Sequence, residues 1–195
     1  MGWEDALREI SRTAAEHASA ALTKLTVKPV TVEVLKAQVM TVQELWQSFE
    51  RDGLVAGVSL PITGDIKGES LLVFDQDAAM LLCDVMLKRP SGMPRALSEL
   101  EESVLKEVGN ILTGSYLTVL ANRLKMRLIE HVPTLSCQAF GTVLYQATER
   151  MGEQSTKALI LEVHLIVNMV LVKGKLLLLL ALEAVDAIVR ALEAT

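Results

Sequence analysis

The 195-residue chain has few aromatic residues, 4% of the total, and only two cysteines. Because 51% of the residues are hydrophobic but few of them carry rings, we expect aliphatic side chains to fill the core. A chain of this length can bury roughly 70% of its extended surface, which is enough for a self-sufficient core. Cys83 and Cys137 lie far apart and in no Cys-X-X-Cys or Cys/His pattern. This spacing favours reduced thiols in a cytoplasmic protein.

The chain also lacks the charge patterns of nucleic-acid-binding proteins and the leader of secreted ones. Its formal net charge is −5, and no dense cluster of Lys and Arg is present, so we expect no nucleic-acid partner. The N-terminus has no basic region followed by an apolar run, which predicts no secretory signal. Lys173 and Lys175 interrupt the apolar segment 165–180, where charge is costly in a bilayer. We therefore expect no membrane insertion and a buried strand at Leu176–Leu180.

The motifs of self-contained hydrolases are absent. The chain contains no G-x-S-x-G, no P-loop and no H-E-x-x-H. His17, His131 and His164 are far apart in sequence without ligand spacing, so each is expected to be a packed or surface histidine. The sequence thus predicts neither a metal site nor a cofactor of the protein's own.

One helical segment carries a stripe of polar and small residues. Ser103, Glu107 and Asn110 lie at i, i+4 and i+7, so their side chains rise from one face, and Gly114 continues this face one turn later. A carboxylate beside a carboxamide with little bulk around them packs poorly. The pair is well suited to insertion into the active site of another protein.

The local composition of this helix supports that interpretation. Asn110 is a poor residue for a helix interior, and Gly109 and Gly114 each cost about 1 kcal/mol relative to Ala. We expect such a helix to keep its surface low for the close approach of another backbone. In the alternative, Glu107 is an ordinary solvated acid with a cation nearby. The candidate cations are Lys106 and Arg123.

The spacing resembles the motif of the CheC-type chemotaxis phosphatases, which include CheX and FliY. That motif is Ser or Asp, three residues, Glu, two residues, Asn, then 22 residues and Pro, and it falls on Ser103, Glu107, Asn110 and Pro133 without a gap. The resemblance implies a phosphatase acting on a phosphorylated CheY-type response regulator, which brings its own aspartyl phosphate, Mg²⁺ and active-site Lys. It also implies that Asn110 orients the attacking water and that Glu107 pairs with the regulator's Lys.

The other motif positions have less defined roles. Ser103 either forms a hydrogen bond near Glu107 or only remains small at the edge of the contact. Pro133 is predicted to be structural, because a proline with a preset φ and no N–H donor suits the start of a strand.

The chain contains an internal repeat. Ala6–Ile10 resembles Val104–Val108 at an offset of 98 residues, and Lys67–Phe74 resembles Lys173–Leu180 at an offset of 106. The same order of segments recurs in both halves. This self-similarity predicts one fold with a pseudo-two-fold axis.

We predict a single domain, 1–195, made of repeat one (1–88), a linker (89–97) and repeat two (98–195). Each repeat is predicted as helix, strand, strand, strand, helix, which gives an α+β fold with a mostly antiparallel sheet covered by helices. The segments predicted to be extended include 30–43 in repeat one and 133–145 in repeat two. The family resemblance implies the same layout, with the two long motif-bearing helices exposed on one side.

The first copy of the motif has lost two of its positions. Asp5 and Glu9 match, but Arg12 replaces the Asn and Leu35 replaces the Pro, and Glu16 stands where the second copy has glycine. A guanidinium cannot hold a water as an amide does, and it meets the regulator's Lys and Mg²⁺ with like charge. Arg12 can instead form ion pairs within its own helix. We therefore predict that the first site is inactive.

The sequence leaves two alternatives to catalysis open. The middle domain of the flagellar switch protein FliM shares the fold of this family and binds partners without hydrolysis, so the chain could be an adaptor. The receptor deamidase CheD, a partner of the family, is a further candidate for binding. An intact Glu/Asn pair distinguishes the phosphatase from a pure scaffold, and no residues of the chain can be assigned to CheD.

Overall fold

The computed structural model describes residues 3–48, 53–90, 95–151 and 156–193, and these form six helices and seven strands. In chain order they are α1 (Trp3–Thr26), β1 (Val30–Thr41), α2 (Val42–Ser48), β2 (Leu54–Gly64), β3 (Gly68–Asp75), α3 (Gln76–Leu87), α4 (Glu99–Leu124), β4 (Leu128–Glu130), β5 (Thr134–Ala139), α5 (Phe140–Glu149), β6 (Thr156–Val167), β7 (Val170–Ala181) and α6 (Leu182–Glu193). Residues 91–94 of the predicted linker lie outside the described residues, and the division into repeats at 89–97 stays a prediction.

The seven strands form one antiparallel sheet in which the two repeats mirror each other. Its order is β1-β6-β7-β3-β2, and β5 and β4 follow one another along the outer edge of β2. β3 and β7 pair at the centre, where Leu71 lies opposite Leu177, the residue 106 positions later. The pseudo-two-fold axis therefore passes between these two strands. The predicted α+β class with a pseudo-two-fold repeat is confirmed.

Helices cover both faces of the sheet. One apolar cluster joins α1, α3, α4 and α6 to one face, and a second cluster joins α2 and α5 to the other. Along β7, Leu176, Leu178 and Leu180 enter the first cluster, while Leu177 and Leu179 enter the second. A strand buried on both faces reads as an unbroken apolar run, as predicted for this segment. The described part of the chain has no helix that is long and apolar enough to cross a bilayer.

Each repeat contains a short helix, α2 or α5, that the sequence prediction lacked. α2 begins after Thr41, whose backbone N–H donates to the Glu44 carboxylate at 2.7 Å, while the N–H of Glu44 donates to the Thr41 hydroxyl at 3.2 Å. The extended segment predicted at 133–145 is wrong beyond Ala139, where α5 begins. The apolar residues of α5 have helical spacing and seal the second face of the sheet: Phe140, Val143, Leu144 and Ala147.

A cluster of buried charges starts α4, the helix with the polar stripe. Ser98 and Glu101 form a capping box, in which the Ser98 N–H and hydroxyl donate to the Glu101 carboxylate at 2.8 and 2.6 Å. Arg95 bridges Glu101 to Asp84, and Arg89 lies 3.3 Å from Glu101. The hydrogen bonds from Ser98, followed by that from Arg95, lower the pKa of Glu101 to about 2. This cluster ties the first turn of α4 to α3.

Further along, α4 lies very close to the sheet. Gly109 is buried, and a Cβ placed on it would lie 2.6 Å from Cγ1 of Val58 in β2. The absent side chain therefore sets the distance between the helix and the sheet. From the sequence we expected Gly109 to keep the exposed surface of the helix low. This expectation is wrong, because Gly109 faces the core. The helix ends at Lys125, which has a left-handed φ of 54° and donates its N–H to the Ala121 carbonyl.

The Glu101 cluster leads to a pH-dependent prediction. We expect Glu101→Gln to destabilise the protein by about 3 kcal/mol at pH 7, because it leaves two arginines beside a buried neutral group. The pKa of Glu101 is lowered in the fold, so its contribution is present above pH 4.5 and is lost as the pH falls towards about 2. Urea unfolding from pH 7 to pH 2.5 should show the two proteins converging. Glu99→Gln, an exposed change in the same turn, is the control, and a difference that stays constant with pH would contradict the prediction.

The close approach at Gly109 leads to a second prediction. Gly109→Ala should destabilise the protein by about 1 kcal/mol, because overpacking outweighs the gain in helix propensity. In a Val58→Ala background, which vacates the contacted volume, the same change should be neutral or stabilising. Thermal unfolding of the four proteins of this double-mutant cycle measures the coupling. Additive effects would show that Val58 does not limit the distance.

Candidate functional site

The polar stripe lies on the solvent-facing side of α4. The Glu107 side chain is exposed and Asn110 is half-buried, whereas Leu105, Val108 and Leu112 are buried on the opposite side. The helix thus presents a carboxylate and a carboxamide one turn apart on one face. Its apolar side is anchored in the core, which keeps the two polar groups on a rigid support.

Both polar groups are unengaged. In residues 3–48, 53–90, 95–151 and 156–193, neither the Glu107 carboxylate nor the Asn110 amide has a hydrogen-bond or ion-pair partner. Lys106 pairs with Glu102 instead, at 3.6 Å. The alternative in which Glu107 pairs with a neighbouring cation of its own helix is therefore not realised.

Ser103 has an internal partner. Its hydroxyl donates to the Glu99 carbonyl at 2.9 Å, one turn back along α4. Of the two roles that the sequence left open, a hydrogen bond near Glu107 is not formed. Ser103 is an exposed, small residue at the N-terminal end of the stripe.

Gly114 makes room for a carboxylate that the sequence analysis missed. A Cβ on Gly114 would lie 2.6 Å from Oε1 of Glu130 in β4. Leu128, two residues earlier on the same strand face, packs against the core beneath the helices, so Glu130 also points towards α4. Burial raises the pKa of Glu130. No sequence motif marks this residue, because its position depends on how β4 pairs with β2.

Pro133 lies at an interruption of the outer strand. The pairing register along β2 changes by one residue between β5 and β4, and β5 begins directly after Pro133. Pro61 of β2 lies opposite this interruption, and its carbonyl accepts the backbone N–H of His131 at 3.0 Å. β1 shows the same one-residue shift at Leu35, the position that corresponds to Pro133. Both repeats therefore carry a bulge here, where a residue without an N–H is tolerated.

In the first copy of the motif, the charged side chains pair with one another or with α4. The pairs are Asp5 with Arg8 at 2.9 Å, Arg12 with Glu16 at 2.9 Å, and Glu9 with Arg123 of α4 at 3.8 Å. The predicted ion pair of Arg12 with Glu16 is present. Arg123, the second candidate partner of Glu107, is thus bound to the other helix.

A groove of about 780 Å³ runs between α1 and β1, beside this first copy. Its rim carries Arg8, Arg12 and Lys36, and its wall includes the exposed Leu35. The first copy is therefore bordered by a cleft, and the Arg12–Glu16 pair lies along its edge.

The remaining candidate residues do not assemble into a site. His17 lies on α1, His131 follows β4 and His164 lies on β6, and no group of three potential metal ligands occurs among the residues that the structure describes. Both cysteines are free thiols. Burial, with a smaller effect of Glu101, raises the pKa of Cys83 to about 12, which makes it an inert core residue.

Known proteins resemble this chain in sequence. Residues 100–136, which include the stripe, Glu130 and Pro133, match the CheC-like family. The chain is 30% identical to the CheY-P phosphatase CheC of Bacillus subtilis, over 81% of this chain and 77% of that protein.

Two solved structures have a similar fold. The fold is similar to that of Thermotoga maritima FliY, with a TM-score of 0.77, 18% identity and coverage of 98% of this chain and 96% of that chain. It is also similar to the FliM middle domain from H. pylori, with a TM-score of 0.68, 13% identity and 97% coverage of each chain. At these low identities, the two structures establish only that the fold is shared. From its sequence identity to the Bacillus protein, the chain belongs to the CheC-like family.

Proposed function

We propose that this protein is a phosphatase that removes the phosphoryl group from the aspartyl phosphate of a CheY-type response regulator. The observation that carries the proposal is the unpartnered Glu107 and Asn110 pair on a rigid, solvent-facing helix. The name of the Bacillus relative, a CheY-P phosphatase, supports the same substrate class.

The chemistry asks little of the protein itself. An acyl phosphate has a good leaving group, and the regulator's own Mg²⁺ absorbs negative charge as the phosphorus–oxygen bond breaks. The missing element is a water held in line with that bond. Positioning and electrostatic stabilisation account for most of the catalysis in phosphoryl transfer.

Asn110 supplies this element in the proposal. Its amide can both accept from and donate to one water, and this fixes the orientation of the water without a change of protonation. The half-buried position of Asn110 limits its side-chain motion. Glu107, one turn away and exposed, pairs with the regulator's active-site Lys and sets the register of the two proteins.

The first copy takes no part in catalysis in the proposal. Its Arg12 lies where Asn110 lies in the second copy, and it is neutralised by Glu16. Glu9, the counterpart of Glu107, is held by Arg123. Each of these pairs would have to be broken before the group could contact a regulator. CheD remains a proposed second partner, without assigned residues.

Measuring the rate of phosphate release from a phosphorylated regulator distinguishes a phosphatase from an adaptor. A regulator with a radiolabelled phosphoryl group loses it at an intrinsic rate, and the phosphatase proposal requires that this protein increase that rate in catalytic amounts. Binding of the phosphorylated regulator without an increase would identify an adaptor and end the proposal.

The water-positioning role predicts that Asn110→Ala lowers the rate of phosphate release by roughly 10²-fold, the scale for losing one oriented polar group at a transition state. Affinity for a beryllofluoride-activated regulator should remain, because Glu107 is intact. Asn122→Ala removes an exposed amide from the same helix and should leave the rate unchanged. Full activity of Asn110→Ala would show that another group holds the water.

The single-site proposal predicts unequal effects of two matched carboxylate changes. Glu107→Ala should abolish most of the turnover and weaken binding, whereas Glu9→Ala should leave both nearly unchanged. The second change also breaks the exposed pair with Arg123, which costs at most about 1 kcal/mol of stability. Turnover of both variants on one phosphorylated regulator, with thermal unfolding as a check, provides the test. Comparable losses would show that α1 still takes part.

A further inference from the structure

The carboxylate of Glu130 lies in the space that a side chain at position 114 would occupy, 2.6 Å from the ideal Cβ position. Position 114 follows Asn110 by one helical turn, and Cβ atoms at this spacing lie about 5–6 Å apart. The Glu130 carboxylate and the Asn110 amide thus lie about one helical turn apart along α4, a separation of the order that a single bridging water spans. General-base catalysis requires this reach to the proton that is removed.

On this geometry, and on the basis of the function proposed above, we propose that Glu130 is a further catalytic residue, the base that accepts a proton from the water held by Asn110. The water oxygen forms a bond to phosphorus while the bond from phosphorus to the aspartyl oxygen breaks. The bonding electron pair stays on the aspartate, which leaves as a carboxylate. The proton passes from the water to Glu130 and then to solvent, so that Glu130 is regenerated.

The surroundings of Glu130 suit a base. Within the described residues it has no hydrogen bond and no ion pair, and burial alone raises its pKa. Charged or titratable groups on the elements around it include Lys106, Glu107 and Arg123 of α4, Asp65 after β2, Arg127 before β4 and His131 beside β4. Lys106 pairs with Glu102, and Arg123 pairs with Glu9. His131 is bonded to Thr63, and the Asp65 carboxylate accepts the backbone N–H of Arg127. None of these cations neutralises the Glu130 carboxylate.

The charge of Glu130 is also expected to lower the stability of the fold. A half-buried carboxylate without a partner favours its neutral form, so the charged form destabilises the folded state at neutral pH. A glutamine of the same shape would avoid this cost. Unpaired titratable groups with a perturbed pKa are enriched at functional sites.

The two repeats differ at this position in the expected way. Val32 stands 98 residues before Glu130, and it is buried in β1. The copy with the amide thus also has the carboxylate, and the copy with Arg12 has neither.

The test is the phosphate-release assay with Glu130→Gln, which preserves shape and removes the base. We expect a roughly 10²-fold lower kcat, the lower end of general-base effects, with unchanged affinity for the beryllofluoride-activated regulator. The ratio of wild-type to variant kcat should decrease towards one as the pH falls through the raised pKa of Glu130. The Tm of the Glu130→Gln variant at pH 7 should exceed that of the wild type, because the variant lacks a destabilising charge. Glu33→Gln, an exposed change on β1, is the matched control and should alter neither kcat nor Tm.

Two further variants change the position of the carboxylate at residue 130 but keep a carboxylate there. Gly114→Ala should displace Glu130, stabilise α4 and lower kcat, while Glu130→Asp should keep the pH dependence at reduced activity. If the wild type increases dephosphorylation but Glu130→Gln retains full kcat and the same pH profile, the inference falls and the proposed function stands. If the wild type gives no increase at all, both fall.

Discussion

The pairing of β3 with β7 is the interaction on which the rest of the structure depends. Each repeat contributes a hairpin, β2–β3 or β6–β7, and neither hairpin alone can cover both of its apolar faces. Their union at Leu71 and Leu177 creates a sheet wide enough for four helices on one face and two on the other. Because the axis runs through this pair, α1 and α4 are brought side by side on the same face.

Symmetry of the backbone does not extend to the charges. The equivalent helices offer equivalent positions, yet the charged groups of the first motif copy pair within α1 or with Arg123, while Glu107 and Asn110 of α4 have no partner in the described part of the chain. Free polar groups on a solvated face cost little, because water satisfies them. They become valuable when a partner excludes that water, since a preorganised amide then needs no rearrangement. The asymmetry therefore concentrates the proposed chemistry in one repeat.

The site also reflects a balance between stability and chemistry. Gly114 weakens a helix, and Glu130 places a carboxylate where a neutral group would be more stable. Gly109 weakens the same helix, but it has a packing role, because Val58 leaves no space for a side chain. The two glycines of α4 thus have different roles: Gly109 faces the core and Gly114 faces the proposed site.

Several features could be predicted from local patterns. The spacing of Ser103, Glu107 and Asn110 placed them on one helical face, and the Ser98 to Glu101 signature located the start of that helix, because helical geometry and capping depend on residues close in sequence. The five-residue leucine run indicated a buried strand for the same reason. The short helices α2 and α5 also carry local signals, Thr41 and Glu44 at capping-box spacing and a helical apolar pattern in α5, which our prediction did not use. The inward direction of Gly109 and the position of Glu130 could not be predicted in this way. Each depends on which distant strand or helix lies opposite, and only the tertiary structure decides that contact.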